Sequence, residues 1–143
     1  MKAFRLIYFF IAILAVAPAG AQILDPVEWE FSHERISQNT YELKLTAVMD
    51  PGWYIYGTDL QPGGPIATSV VFEEGQGYEL ISELQYPDAE VKYDPNFDMD
   101  IPMYGGSVSF IQRVRVLDQD ELVIRGEVEY MSCDDQRCLP PDF

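Results

Sequence analysis

Cysteine, histidine and positive charge are all scarce in this 143-residue chain, which has two cysteines, one histidine and nine Lys or Arg against 24 Asp or Glu. A structural zinc site needs four ligands, and beyond the two cysteines only the distant His33 is on offer. The formal charge of −15 repels phosphate backbones and anionic lipid head groups, so no nucleic acid partner is expected. A G-x-S-x-G elbow is missing, and His33 has no partnered nucleophile signature, which leaves hydrolytic catalysis unsupported. The carboxylates Asp94, Asp98 and Asp100 could pair for acid–base work, but a solvated loop is the simpler explanation.

What is present begins with a leader. MKAFRLIYFFIAILAVAPAGAQ has Lys2 and Arg5 ahead of an apolar run from Leu6 to about Ala17, then the small residues Ala19, Gly20 and Ala21. The run is too short to be read as a membrane span, and no cysteine stands at the cleavage point to mark a lipoprotein. Residues 1–21 are therefore expected to be a signal peptide and 22–143 one exported domain, with seven basic residues left against the 24 acids.

After the leader no long helical periodicity appears, whereas strand periodicity is frequent. TYELKLTAVM alternates Tyr41, Leu43, Leu45, Ala47 and Met49 against more polar neighbours. SVSFIQRVRV sets Val108, Phe110, Val114 and Val116 on one face, and LVIRGEVEYM does the same with Leu122, Ile124, Val128 and Tyr130. Weaker candidates are VEWEFS, WYIY, ATSVVF and YELISE, with turn formers at Asp50-Pro51-Gly52, Pro62 to Pro65, Asp94-Pro95-Asn96 and Gly105-Gly106. Seven or so short strands without intervening helices predict an all-β antiparallel sandwich, with a small barrel as the alternative. QYPDAEVKYDPNFDMDIPMYGG is expected to be a long irregular loop rich in aromatics and carboxylates.

Cys133 and Cys138 are separated by Asp-Asp-Gln-Arg, enough for a tight hairpin whose facing Cα atoms fall in the disulfide range. Export makes a disulfide the default. As a staple it would be weak, because closing a ring of roughly six residues is worth about 2 kcal/mol in the loop-entropy model. A structural bridge and a reducible one both remain open on spacing, since this is not a C-x-x-C motif. Copper(I) is a further alternative, with Met99, Met103 and Met131 joining the cysteines as soft ligands.

The run YMSCDDQRCLPP resembles the active-site segment of the N-terminal periplasmic domain of the thiol:disulfide interchange protein DsbD, a Tyr-x-x-Cys, short loop, Cys-x-Pro-Pro pattern. PGWYIYG and PMYGGSVSF resemble two further segments of that family, and the leader fits it. The resemblance implies an immunoglobulin-like antiparallel β-sandwich and a protein-disulfide reductase component without cofactor or metal. Its cysteine pair would pass electrons from the thioredoxin-like and membrane domains of a DsbD-type transporter to thioredoxin-like periplasmic proteins. Those partners include disulfide isomerases and the thiol reductant of cytochrome c maturation.

The same resemblance makes Cys138 the partner-linked sulfur and Cys133 the resolving thiol. It sets Tyr54 and Tyr56 near the pair, Tyr130 in the cysteine motif and an aromatic cap above it. The cap residues are expected among Phe97, Met103 and Tyr104, although Met103 stands where a phenylalanine belongs. Two other departures are the four residues between the cysteines where the family has five, and the end of the chain at Phe143, which leaves a closing strand expected to be absent. A periplasmic location follows, with the native full-length protein anchored in the inner membrane. A secreted binding domain with an inert disulfide is the competing function.

Overall fold

The alternation in residues 40–49 and 107–116 becomes two ten-residue strands that pair antiparallel along almost their full length, Leu45 facing Phe110 and Ala47 facing Val108. The structure, a computed structural model, describes residues 24–73, 77–117 and 123–143. The expected signal peptide and Leu122 lie outside the described residues.

In chain order the strands are β1 (Val27–Arg35), β2 (Thr40–Met49), β3 (Tyr54–Tyr56), β4 (Ser69–Phe72) and β5 (Tyr78–Leu80). They continue with β6 (Glu90–Asp94), β7 (Met99–Gly105), β8 (Ser107–Val116), β9 (Gly126–Glu129) and β10 (Ser132–Cys133). No helix occurs among the described residues. One sheet has the order β1-β2-β8-β5, a second β10-β3-β7-β6, and β4 pairs with β9 in a third, small sheet.

The core lies between these sheets. Leu45, Ala47 and Met49 of β2 and Val108 and Phe110 of β8 meet Ile55 of β3, Tyr104 of β7 and Val128 of β9. Phe110 and Ile55 are fully enclosed, each worth roughly 1.5–3 kcal/mol in removed apolar surface. The fold is an immunoglobulin-like antiparallel β-sandwich, as the strand pattern and the family resemblance imply.

Two expectations about elements need correction. The stretch around residues 85–106 is mostly a β-hairpin, with β6 and β7 paired from Glu90 opposite Met103 to Asp94 opposite Met99 and only Pro95 to Asp98 as a turn. The last long strand, expected from residue 122, begins instead at Gly126. A Cβ at Gly126 would lie 2.8 Å from the Val71 carbonyl oxygen, so β4 and β9 approach closely only because that position has no side chain.

Candidate functional site

Strands β3 and β7 each carry apolar residues on both faces. Ile55 and Tyr104 point into the sandwich, while Tyr54, Tyr56, Met99, Ile101 and Met103 point the other way, as a period of two requires. On that outer face Tyr54, Tyr56, Ile101, Met103 and Cys133 are buried in a second cluster, against which Leu60, Phe97, Met99, Met131 and Cys138 pack. The cysteines are therefore part of a small hydrophobic core outside the main one.

Cys133 reaches it through β10, where it pairs with Tyr54 of β3. Asp134 builds the turn that follows. Its N–H donates to the Arg137 carbonyl at 2.9 Å, and its Oδ1 accepts from the N–H groups of Gln136 and Arg137 at 2.8 and 2.9 Å. These donors, the Gln136 N–H foremost, hold the Asp134 carboxyl below the usual carboxylate range. Beyond the cysteines, Leu139 N–H donates to the Ser132 carbonyl at 2.9 Å. Between these two hydrogen-bonded levels Cys133 and Cys138 face each other with Cα atoms 4.1 Å apart, near the close spacing of a non-hydrogen-bonded pair, and their sulfurs are joined at 2.03 Å. Cys133 is fully buried and Cys138 half-buried.

Behind the sulfurs lies a carboxylate. Asp94 is wholly enclosed, and its Oδ2 accepts from the Tyr56 hydroxyl at 2.5 Å and the Tyr54 hydroxyl at 3.3 Å, while Oδ1 accepts from Asn96 N–H at 2.7 Å. The Tyr56 oxygen is also 3.0 Å from Cys133 Sγ and 3.8 Å from Cys138 Sγ. Burial first, then the hydrogen bond to Asp94 and that carboxylate's charge, drive the Tyr56 pKa far above that of a free phenol. Burial and Asp94 push Tyr54 up to about 12, and burial with Asp142 does the same to Tyr130.

These raised values predict alkaline sensitivity. A phenol that holds its proton more tightly when folded adds stability that is complete below its unfolded pKa and lost as pH climbs through the folded one. The urea midpoint should therefore stay level up to about pH 10 and fall towards about pH 12, with Tyr56→Phe flattening part of the fall. A level midpoint across that window would contradict the raised values.

Four of the six shell residues expected from the sequence, Tyr54, Tyr56, Phe97 and Met103, gather with the cysteines. Phe97 sits in the β6–β7 turn with its ring edge-on to Tyr56 at 5.8 Å. The same turn is tied to the cysteine hairpin by Asn96 Nδ2, which donates to the Asp134 carbonyl at 2.9 Å. Tyr104 and Tyr130 go elsewhere: both pack in the main core, Tyr104 edge-on to Phe110 and donating to the Pro87 carbonyl, Tyr130 against Trp29. On short strands their positions place them on the opposite face from Cys133. Asp94, expected in a solvated loop, is the functional residue that sequence reasoning undervalued. His33, on β1, packs with its ring tilted against Tyr41 and takes no part. A groove of about 1120 Å³, lined by Trp29, Leu43, Phe72 and Gly126 among others, includes neither cysteine.

A family profile described as the N-terminal domain of thiol:disulfide interchange protein DsbD matches residues 20–143. Among solved structures, the N-terminal periplasmic domain of ScsB from Proteus mirabilis is similar with a TM-score of 0.60 and 16% identity, covering 83% of this chain and 45% of its own. This chain thus spans less than half of that solved chain, and at such identity the likeness concerns the fold alone. The Neisseria meningitidis DsbD n-terminal domain in its reduced form has a TM-score of 0.48 and 12% identity, with 78% of each chain covered. No curated protein sequence matches.

Proposed function

The chain belongs to the family of DsbD N-terminal domains, and on that premise we propose that residues 22–143 form a periplasmic thiol–disulfide exchange module that works through Cys133 and Cys138. The observation that carries this reading is the asymmetry of the bridge: Cys133 is sealed in a hydrophobic cluster, while Cys138 is only partly buried against it.

In the exchange, a partner thiolate attacks Cys138 Sγ, the S–S bond breaks, and Cys133 leaves as a thiolate. The partner's second thiol then attacks the mixed disulfide and releases Cys138, so two electrons and two protons enter the pair and the partner becomes oxidised. Tyr56 has one hydroxyl proton and two acceptors. With the bridge closed, the short contact to Asp94 takes it; once Cys133 carries charge, the sulfur 3.0 Å away competes for it and the leaving thiolate is stabilised. Delivery of electrons to a second partner runs the same steps in reverse.

Phe97 is the shield in this reading. Met103 and Tyr104 are only 4% and 7% exposed on the two faces of β7, whereas Phe97 rides on a four-residue turn. Lifting that turn breaks the hydrogen bonds from Asn96 Nδ2 to the Asp134 carbonyl at 2.9 Å and the Tyr54 hydroxyl at 3.4 Å and one ring contact, a net cost on the order of 2–3 kcal/mol that a docking protein can offset. The module would serve a DsbD- or ScsB-type system, reduced by a thioredoxin-like domain of a membrane reductase and oxidised by thioredoxin-like periplasmic proteins. Residues 1–21 would be the export signal.

Reduction rates of the bridge test the reading. A thioredoxin-like dithiol protein should open it readily and glutathione slowly. Phe97→Ala should speed the glutathione reaction by about tenfold while the thermal midpoint changes little, as removing a lid requires. A wild-type bridge that a dithiol protein cannot open would overturn the exchange reading; glutathione kinetics unchanged in Phe97→Ala would remove the shield from it.

A further inference from the structure

The exchange chemistry uses both cysteines but none of the methionines beside them. Met99, Met103 and Met131 make up three of the ten residues in the cysteine cluster, whereas the main core, with more members, includes Met49 alone. Gap-filling accounts for one methionine in a core, but it does not explain why three converge on the one place where two thiols can appear. Strand periodicity puts them there: Met99 and Met103 flank Ile101 on the outward face of β7, and Met131 stands two residues before Cys133 on the approach to β10.

We propose that the reduced form of this site binds a soft monovalent cation, Cu(I), through the thiolates of Cys133 and Cys138 and a thioether from the methionine set. Thiolate and thioether donors select Cu(I) over harder ions. Among the described residues no three His, Cys, Asp or Glu side chains gather to offer a competing hard or borderline site. Binding exchanges protons for the metal without electron transfer: one Cu(I) displaces two thiol protons and leaves a bis-thiolate complex of charge −1. The sealed position of Cys133 keeps one side of the metal dry, and Cys138 at the edge provides entry. Occupancy would hold both sulfurs and block exchange while it lasts.

The proposal needs only an open bridge, so a phosphine reductant can prepare the protein whether or not another protein opens it in the cell. Failure here therefore leaves the exchange reading untouched, and failure of that reading leaves this test intact. Reduced protein is titrated anaerobically with Cu(I) against bicinchoninate. The expected result is a single Cu(I) per chain in the reduced form, none in the disulfide form, and an affinity weakened by about tenfold or more in Met99→Leu/Met103→Leu/Met131→Leu, the scale on which a metal site responds to loss of a supporting group. Should the triple variant fold poorly, Met99→Leu, Met103→Leu and Met131→Leu are compared singly, and at least one of them should lose the third sulfur scatterer by X-ray absorption. Unchanged affinity and an unchanged sulfur shell in the folded triple variant, or in all three single ones, would mean a bare dithiol holds the metal, and would overturn the proposal, as would absence of stoichiometric binding to the reduced protein.

Discussion

Cys133→Ala should form a stable mixed disulfide with a single-cysteine thioredoxin-like partner supplied as its activated disulfide, whereas Cys138→Ala should form almost none. The difference comes from access. Cys138 is only partly buried against its cluster and is the cysteine a partner can approach, while Cys133 is fully buried and packs with Tyr54 and Tyr56. With Ala at 133 nothing within the chain can resolve the adduct, so it accumulates. Quantifying the adduct by non-reducing electrophoresis and intact mass checks the assignment. Adduct formed by Cys138→Ala and not by Cys133→Ala would reverse the two roles.

The second large effect concerns Asp94. Replacing it by Ala takes the acceptor away from the Tyr56 hydroxyl and from Asn96 N–H; the Tyr54 hydroxyl retains the Asp134 carbonyl at 3.2 Å. The buried Tyr56 hydroxyl is left with only the weak sulfur acceptor Cys133 Sγ at 3.0 Å and the Asn96 N–H loses its carboxylate, at about 1–3 kcal/mol each, so Asp94→Ala should lower unfolding free energy by about 3 kcal/mol. Asp100→Ala, at an exposed position in the neighbouring strand, should change stability by less than about 0.5 kcal/mol. Urea denaturation of both variants decides the matter, and a loss at Asp94 no larger than that at Asp100 would mean the network contributes nothing.

Asp94 also explains where the sequence was legible and where it was not. Strands facing the main core were readable because burial there is apolar: Leu45, Ala47 and Met49 in β2, and Val108, Phe110, Val114 and Val116 in β8, alternate as a half-buried sheet must. β6 inverts that rule. Its Val91 and Tyr93 are 62% and 59% exposed while Asp94 is sealed, so hydropathy alternation points to the wrong face and the segment passes for a loop. A carboxylate goes inside there because two tyrosines from β3 and a backbone N–H satisfy it, a tertiary circumstance with no local trace. β7 did leave a signal, since Met99, Ile101 and Met103 keep period two, but Pro102 and the glycine pair after Tyr104 obscured it.

The cysteines were legible as a pair, while their chemistry was not. Spacing alone left a staple, a metal clip and a redox centre open. Tyr54 and Tyr56 entered through the family resemblance, which the surroundings of the bridge then match. Tyr104 and Tyr130 were misplaced for a simple reason: sequence proximity to the motif does not reveal which face a residue takes, and one step along a strand reverses it.

The reduction potential of the Cys133–Cys138 pair tests the central claim most directly. It can be measured by equilibrating the protein with defined ratios of reduced and oxidised dithiothreitol or glutathione and quantifying the free thiols. A module that both accepts electrons from and delivers them to thioredoxin-like proteins must lie among their own potentials, between about −270 and −120 mV. A value well below about −300 mV would mark an inert structural bridge and contradict the account.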